Sequence, residues 1–121
     1  MITNVKLVNI CVKDQTKALD FYTKTLGFEV LDDQPFGPDM RWLELAPKGG
    51  QTRVTLFTAP GQEDRIGSFT GISFQCDDVR ATYNDLSKKG VEFTQEPTEQ
   101  PGGLMAVFKD LDGNEFVLSK D

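Results

Sequence analysis

The sequence predicts an α+β protein in which one βαβββ module occurs twice within a single domain. A strand, a capped helix, a glycine and a second strand follow one another near the N-terminus, and the same order returns 64 residues later. Each copy is followed by two strand-like runs separated by a turn. We therefore expect modules over about 1–58 and 69–121, joined by a polar, turn-rich linker at 59–68.

The first module begins with a strand that ends at Val12 and a helix capped by Asp14, whose carboxylate can accept from free N–H groups of the first turn. Gly27 stands where a left-handed residue ends a helix, and Phe28 to Val30 begin a new strand. One face of this helix is apolar, because the following residues recur at helical spacing: Ala18, Phe21, Tyr22 and Leu26.

The second module repeats this pattern. Residues 70–78 correspond to 6–14, a helix is predicted from about Val79 to Lys89, and Gly90 ends it before Val91 to Phe93. Hairpins are expected from 40–46 with 52–58, and from 103–109 with 114–119, where Asp112-Gly113 is a strong turn signal. The Pro/Gly-rich stretches 33–39 and 95–103 are predicted to be loops, the first of them either a lid or a dimer contact.

Two segments, 12–30 and 108–116 (Phe-Lys-Asp-Leu-Asp-Gly-Asn-Glu-Phe), resemble the signatures of the glyoxalase, bleomycin-resistance and extradiol-dioxygenase superfamily, the vicinal oxygen chelate fold. The resemblance covers nearly the whole chain, with Leu111 in place of the usual turn proline. It implies two βαβββ modules that form a curled mixed sheet around a cleft. Members of this family that consist of a single such chain usually pair, so the resemblance also implies a homodimer.

Composition limits the classes of partner. The 121 residues carry a net charge of −6, which opposes binding to nucleic acid phosphates. No run approaches the roughly 20 apolar residues of a membrane span. The N-terminus does not read as a signal peptide, and Cys11 and Cys76 fit no metal or redox spacing. These features predict a cytoplasmic protein that contacts neither nucleic acid nor membrane.

Strand alternation assigns a candidate site. Successive residues of each strand point to opposite faces of the sheet. Those on one face are apolar and are expected to pack under the helices. Those on the other face mix large apolar with polar side chains, as in a pocket for a partly apolar organic molecule. The same side chains could instead meet a partner subunit or water. The predicted ligand-binding residues are Asn9, Cys11, Trp42, Glu44, Arg53, Thr55, Phe57, Ser73, Gln75, Met105, Val107 and Glu115.

The resemblance implies a metal held from four strands, but the matching positions are occupied by Leu7, Thr55, Gly71 and Val117. None of these supplies an imidazole, carboxylate or thiolate, and the chain contains no histidine. The interpretation is therefore no metal and no cofactor, with a weak hard-cation site at Glu44 and Glu115 as the alternative. Glyoxalase I and extradiol dioxygenase activities, which use the metal, are not expected.

Two side chains leave alternatives open. Cys11 is either a strand filler or a nucleophile, although no histidine can activate it. Trp42 and Glu44 are two residues apart on one predicted strand, so their side chains point to the same face. Trp42 is predicted to face the cleft as a stacking surface for planar or cationic ligands. A shift of the strand register by one residue would instead place it under a helix.

Three functions are compatible with these features. The first is metal-independent binding of a small organic molecule, as a resistance or sequestration protein. The second is an enzyme of unknown reaction that uses non-metal residues of the cleft, so no catalytic residue is assigned. The third is an interaction module with a vestigial cleft.

Overall fold

The computed structural model describes residues 1–120, and it confirms the α+β class with two βαβββ modules. The chain divides into two compact units, Met1–Ile66 and the residues from Gly67 onwards. The first unit contains β1 (Leu7–Ile10), α1 (Gln15–Asp20), β2 (Glu29–Pro35), β3 (Arg41–Ala46) and β4 (Arg53–Leu56). The second contains β5 (Phe69–Gln75), α2 (Val79–Lys88), β6 (Phe93–Gln100), β7 (Gly103–Lys109) and β8 (Glu115–Ser119).

Each unit has one four-stranded mixed sheet, and the two sheets have equivalent strand orders. The order is β1-β4-β3-β2 in the first and β5-β8-β7-β6 in the second. The pairs β1–β4 and β5–β8 are parallel, and all other pairs of neighbouring strands are antiparallel. The internal repeat of the sequence therefore reflects a repeat of topology.

The core of each unit lies between its helix and one sheet face. In the first unit this face and the helix supply Ile10, Ala18, Tyr22, Leu43, Leu45, Val54 and Leu56, all at most 2% exposed. In the second unit the corresponding residues are Ala106, Phe108, Phe116 and Leu118. The alternation of apolar residues along each strand is what directs them to one face.

The first helix is less regular than its spacing predicts. After α1 the chain continues as a π-helical segment, Phe21–Thr25, and the N–H of Leu26 donates to the carbonyl of Phe21. Asp14 caps the helix as predicted, and Gly27 has a φ of +80°, which a glycine adopts without strain. The second helix is capped by Asp78 and ends before Gly90, whose φ is +91°.

The prediction of loops at 33–39 and 95–103 is wrong over much of both segments. Asp33, Gln34 and Pro35 belong to β2 and pair with β3, and Gln95 to Gln100 belong to β6. Both strands are sheet edges, where a proline loses no ladder hydrogen bond. Pro35 is the last residue of β2. Pro97 lies between Gln95 and Thr98, where the register of the β6–β7 pairing shifts.

None of the helices within residues 1–120 combines the length and the apolar character that a membrane span requires.

Candidate functional site

Three polar side chains form a row across the first sheet, on the face opposite its helix. Thr55 is paired in register with Asn9 on one side and with Glu44 on the other. The Thr55 hydroxyl donates to Asn9 Oδ1 at 2.7 Å. Asn9 Nδ2 donates to the carbonyl of Phe57 at 2.9 Å and to Cys11 Sγ at 3.6 Å. This network defines the orientation of the Asn9 amide.

Glu44 is the centre of a charged group on the same face. Its carboxylate accepts from Trp42 Nε1 at 2.7 Å and from Arg53 Nη1 at 3.0 Å, one bond to each oxygen. The indole bond, opposed by burial and reinforced by Arg53 and Lys6, lowers the pKa of Glu44. Glu44 is only 8% exposed. It is therefore a buried carboxylate that stays ionised at neutral pH.

An aromatic cluster of Phe36, Trp42 and Phe57 adjoins Glu44. The ring centroids are 5.7 Å apart for Phe36 and Trp42, 5.5 Å for Phe36 and Phe57, and 6.1 Å for Trp42 and Phe57. Phe36 lies at the tip of the β2–β3 hairpin and is half exposed. The indole therefore lies on the face of Glu44, away from the buried Leu43 and Leu45, as the alternation along β3 requires.

The equivalent face of the second unit is less polar. Ser73 and Ser119 share a hydrogen bond of 3.0 Å between their hydroxyls, and Thr94 donates to Glu115 at 2.9 Å. Met105 and Val107 are half-buried, and Val107 pairs with Val117. Gln75 is exposed. The sequence predicts ligand contacts from five residues of this unit, which form no charged group comparable to that of Glu44: Ser73, Gln75, Met105, Val107 and Glu115.

The residues at the four implied metal positions do not fit a metal. Leu7 and Val117 have no donor atom, Gly71 lies at a bulge of β5, and the Thr55 hydroxyl is already committed to Asn9. Among residues 1–120, no group of three or more His, Cys, Asp or Glu side chains converges. Glu44 and Glu115 each bond within their own unit, to Arg53 and to Thr94 respectively. We derive no chemical step through a metal.

Two cavities of the first unit involve residues that the sequence did not single out. One, of about 510 Å³, adjoins Glu44 and Arg53 and is lined by Thr3, Asn4, Lys6, Glu44, Gln51 and Arg53. The other, of about 430 Å³, lies at the start of α1 beside Gln15 and Arg41. The Gln15 amide donates to the carbonyls of Arg41 and Leu56 and accepts from the Arg41 N–H, a role with no sequence signal.

Comparisons with known proteins agree on the fold. Residues 4–118 match the family model described as "Glyoxalase/Bleomycin resistance protein/Dioxygenase superfamily". The uncharacterised protein YetH of Bacillus subtilis (strain 168) is 38% identical over 120 residues, covering 99% of this chain and all of YetH.

Two solved structures are also similar. A member of the same superfamily from Sphaerobacter thermophilus has a TM-score of 0.91 at 41% identity, over 99% of this chain and 98% of that one. TnmS3 from Streptomyces sp. CB03234, described as an antibiotic binding protein, has a TM-score of 0.87 at 40% identity, with the same coverage.

Proposed function

The chain belongs to the glyoxalase/bleomycin resistance protein/dioxygenase superfamily, and from this premise we propose that it binds a small, partly apolar organic molecule without a metal. The binding surface of the proposal is the first unit's sheet face, where the aromatic cluster adjoins Glu44 and Arg53. The protein acts on its ligand by sequestration, as a resistance protein does, and leaves it chemically unchanged.

The observation that carries the proposal is the pairing of a partly exposed aromatic surface with an oriented polar row. Phe36, Trp42 and Phe57 supply a surface for stacking, which favours planar or polycyclic molecules. Asn9 and Thr55 supply hydrogen-bonding groups whose positions are set by each other. A pocket of mainly apolar walls with a few placed polar groups is typical of small-molecule sites.

The state of Glu44 favours binding over turnover. A general base needs a pKa near the working pH. Both oxygens of Glu44 accept hydrogen bonds, and its pKa is lowered. Glu44 therefore suits the positioning of Trp42 and Arg53 better than the removal of a proton from a substrate.

The relative described as an antibiotic binding protein suggests the class of ligand. We propose that this chain also binds an antibiotic, with the aromatic part of the molecule against Trp42. The similarity extends over nearly the full length of both chains, which supports carrying the binding role across. It does not identify the compound.

A panel of antibiotics with and without planar aromatic systems tests the proposal. Binding is followed by thermal shift and by fluorescence of Trp42, which is the only tryptophan of the chain. We expect at least one aromatic compound to raise the melting temperature and quench Trp42, and mass spectrometry to recover it unchanged. A recovered product would favour an enzyme. A panel without any binder, at concentrations that saturate TnmS3, would reject sequestration of antibiotics.

We further propose that the protein is a homodimer. Val30 and Leu31 are each 43% exposed on the edge strand β2, and exposed apolar edges are usually covered in stable proteins. Analytical ultracentrifugation at tens of micromolar should give a dimer, and a single species of 13.5 kDa would contradict this.

Neither Cys11 nor Cys76 forms a disulfide, which supports a reducing compartment, so we propose a cytoplasmic location. Fractionation of cells expressing the tagged chain tests it, and recovery in the membrane or extracellular fraction would contradict it.

A further inference from the structure

We propose that the ligand is an anionic aromatic molecule, with its ring against Trp42 and its oxyanion in the cavity lined by Lys6 and Arg53. This inference rests on the proposed function and narrows it to a substrate class. Of the planar or cationic ligands that the sequence predicts for Trp42, it retains the planar ones and replaces the cationic ones by anionic ones.

The cavity is electropositive once the existing ion pair is taken into account. Of its lining residues, Lys6 and Arg53 are cations and Glu44 is the single anion. Glu44 is already neutralised by Arg53 at 3.0 Å. Lys6 forms no ion pair among residues 1–120 and is exposed. The lining of this cavity of about 510 Å³ therefore carries one more positive than negative charge.

The cations beside Glu44 make its surroundings unfavourable for a cationic ligand. Trp42 Nε1 bonds to one of its oxygens and Arg53 Nη1 bonds to the other. An incoming ammonium group would be repelled by the Arg53 guanidinium and by the Lys6 ammonium group of the same lining. An anion placed on the side of Lys6 and Arg53 would be attracted by both cations, which together outweigh the one carboxylate of Glu44.

Arg53 and its neighbours still have donors to offer. The guanidinium uses one nitrogen toward Glu44, and its side chain is 41% exposed, so its further N–H groups can reach a ligand in the cavity. Lys6, Asn4 and Gln51 add an ammonium group and two amides from the same lining. Several N–H donors around a concave surface are the chemistry that a carboxylate, sulfonate or phenolate requires.

Glu44 also joins this cavity to the aromatic cluster. Trp42 bonds to Oε2 and Arg53 to Oε1, so the indole and the guanidinium lie on either side of one carboxylate. A ligand with a flat ring and an adjacent oxyanion can contact Trp42 and the cavity together. The net charge of −6 would attract cations to the protein as a whole, so anion preference here must come from the local arrangement.

Three naphthalene probes with the same ring system but different charge separate the effect of the cavity's local charge from that of the protein's net charge. They are 2-naphthoate, 2-naphthamide and 2-naphthylmethylammonium. Dissociation constants are measured by calorimetry at low and at physiological salt. We expect 2-naphthoate to bind at least about tenfold more tightly than the ammonium probe, the effect of roughly two partly exposed charge contacts. The advantage should shrink as salt is raised.

The variant Lys6→Gln tests the cavity without removing either hydrogen-bond partner of Glu44. It should weaken 2-naphthoate by about three- to fivefold, as for one exposed charge interaction, and leave 2-naphthamide unchanged. The matched control is Lys88→Gln, which makes the same charge change on α2 of the other unit and should affect neither probe. Amide NMR shifts at Asn4 and Gln51 should respond to 2-naphthoate more than to 2-naphthamide.

The outcomes distinguish this inference from the function on which it rests. If the amide or the ammonium probe binds as tightly as 2-naphthoate and shifts the Trp42 indole signal, aromatic binding stands and the anion preference is rejected. If Lys88→Gln weakens 2-naphthoate as much as Lys6→Gln does, the preference does not arise in this cavity and the inference is also rejected. If none of the probes binds, the inference fails, and the antibiotic panel alone decides the proposed function.

Discussion

The two sheet faces that lie opposite the helices share one backbone plan and differ in chemistry. In the first unit, Thr55 pairs with both Asn9 and Glu44. In the second unit, Val117 pairs in the same way with Ser73 and Val107. A buried carboxylate and a hydroxyl in one unit thus correspond to two valines in the other.

The comparison separates what the fold requires from what the site adds. The helix-facing residues are apolar in both units because the core requires it, so they carry little information about function. The opposite faces are free to diverge, and the first one contains a buried charge that needs two donors to be stable. A buried carboxylate that its structural repeat lacks is the reason we propose this face, and not the other, as the ligand surface.

Substitutions in the two β-hairpin turns should give the largest difference between the units in the free energy of unfolding. Asn114 is 1% exposed, donates to Asp110 Oδ2 at 2.9 Å and accepts from the Gly67 N–H at 2.9 Å. Asn114→Ala removes both of these bonds from a buried position in the turn and should lower the free energy of unfolding by about 2–3 kcal/mol. Gln51→Ala, beside the exposed turn of the first unit, is the control and should change it by less than about 0.5 kcal/mol. Urea denaturation measures both, and equal losses would contradict the contrast.

Removing the cation from the first sheet face should have the next largest effect. Arg53→Met leaves the buried Glu44 carboxylate with the indole bond alone, and should cost about 1–2 kcal/mol of stability after allowance for the exposure of Arg53. Glu44→Leu combined with Arg53→Met should recover most of that loss, because the unpaired charge is gone.

At the equivalent position of the second unit, Glu115→Gln is the matched control and should cost less than about 0.5 kcal/mol. If the control costs as much as Arg53→Met, the two faces do not differ as proposed.

Trp42→Ala separates a ligand surface from a packing role. It should weaken an aromatic ligand by about 1–3 kcal/mol, the range for a lost stacking contact with its buried area. The free energy of unfolding should fall by less than the roughly 3–5 kcal/mol typical of a large core residue. Met105→Ala, the equivalent change in the second unit, should leave the affinity unchanged. A stability loss in the core range would place Trp42 among the structural residues.

The smallest expected effect is on the pH dependence of stability. Because the pKa of Glu44 is lowered in the folded protein, its ionised form stabilises the fold above the ordinary value of about 4.5. Glu44→Gln should therefore be less stable than the native chain at pH 7, and the difference should shrink as the pH falls below 4.5. Thermal unfolding from pH 7 to pH 3 measures it. A difference that is constant with pH would reject the charged role of Glu44.

Local signals in the sequence determined the repeat, the caps and the strand faces. Asp14 and Asp78 precede apolar residues at helical spacing, and Gly27 and Gly90 end the helices, so both boundaries follow from short-range chemistry. Alternation along β3 was enough to place Trp42 and Glu44 on one face.

The sequence misassigned residues whose conformation depends on neighbours distant in the chain. Pro35 and Pro97 indicate loops in isolation, yet both stand in edge strands, where pairing on one side tolerates the missing N–H. The π-helical segment at Phe21–Thr25 likewise has no signal in the spacing of apolar residues.

The sequence by itself determined the fold family, the absence of the expected metal-ligand side chains and the candidate face. Only the tertiary structure decided how the polar groups use their hydrogen bonds. The sequence placed Glu44 on the candidate face, but only the structure shows that it accepts from Trp42 on one oxygen and from Arg53 on the other. Lys6 acquires significance only from the cavity that it lines with Arg53. The physical reason is that side-chain type follows from the sequence, whereas the partner of a charge depends on pairing between strands that are far apart in the chain.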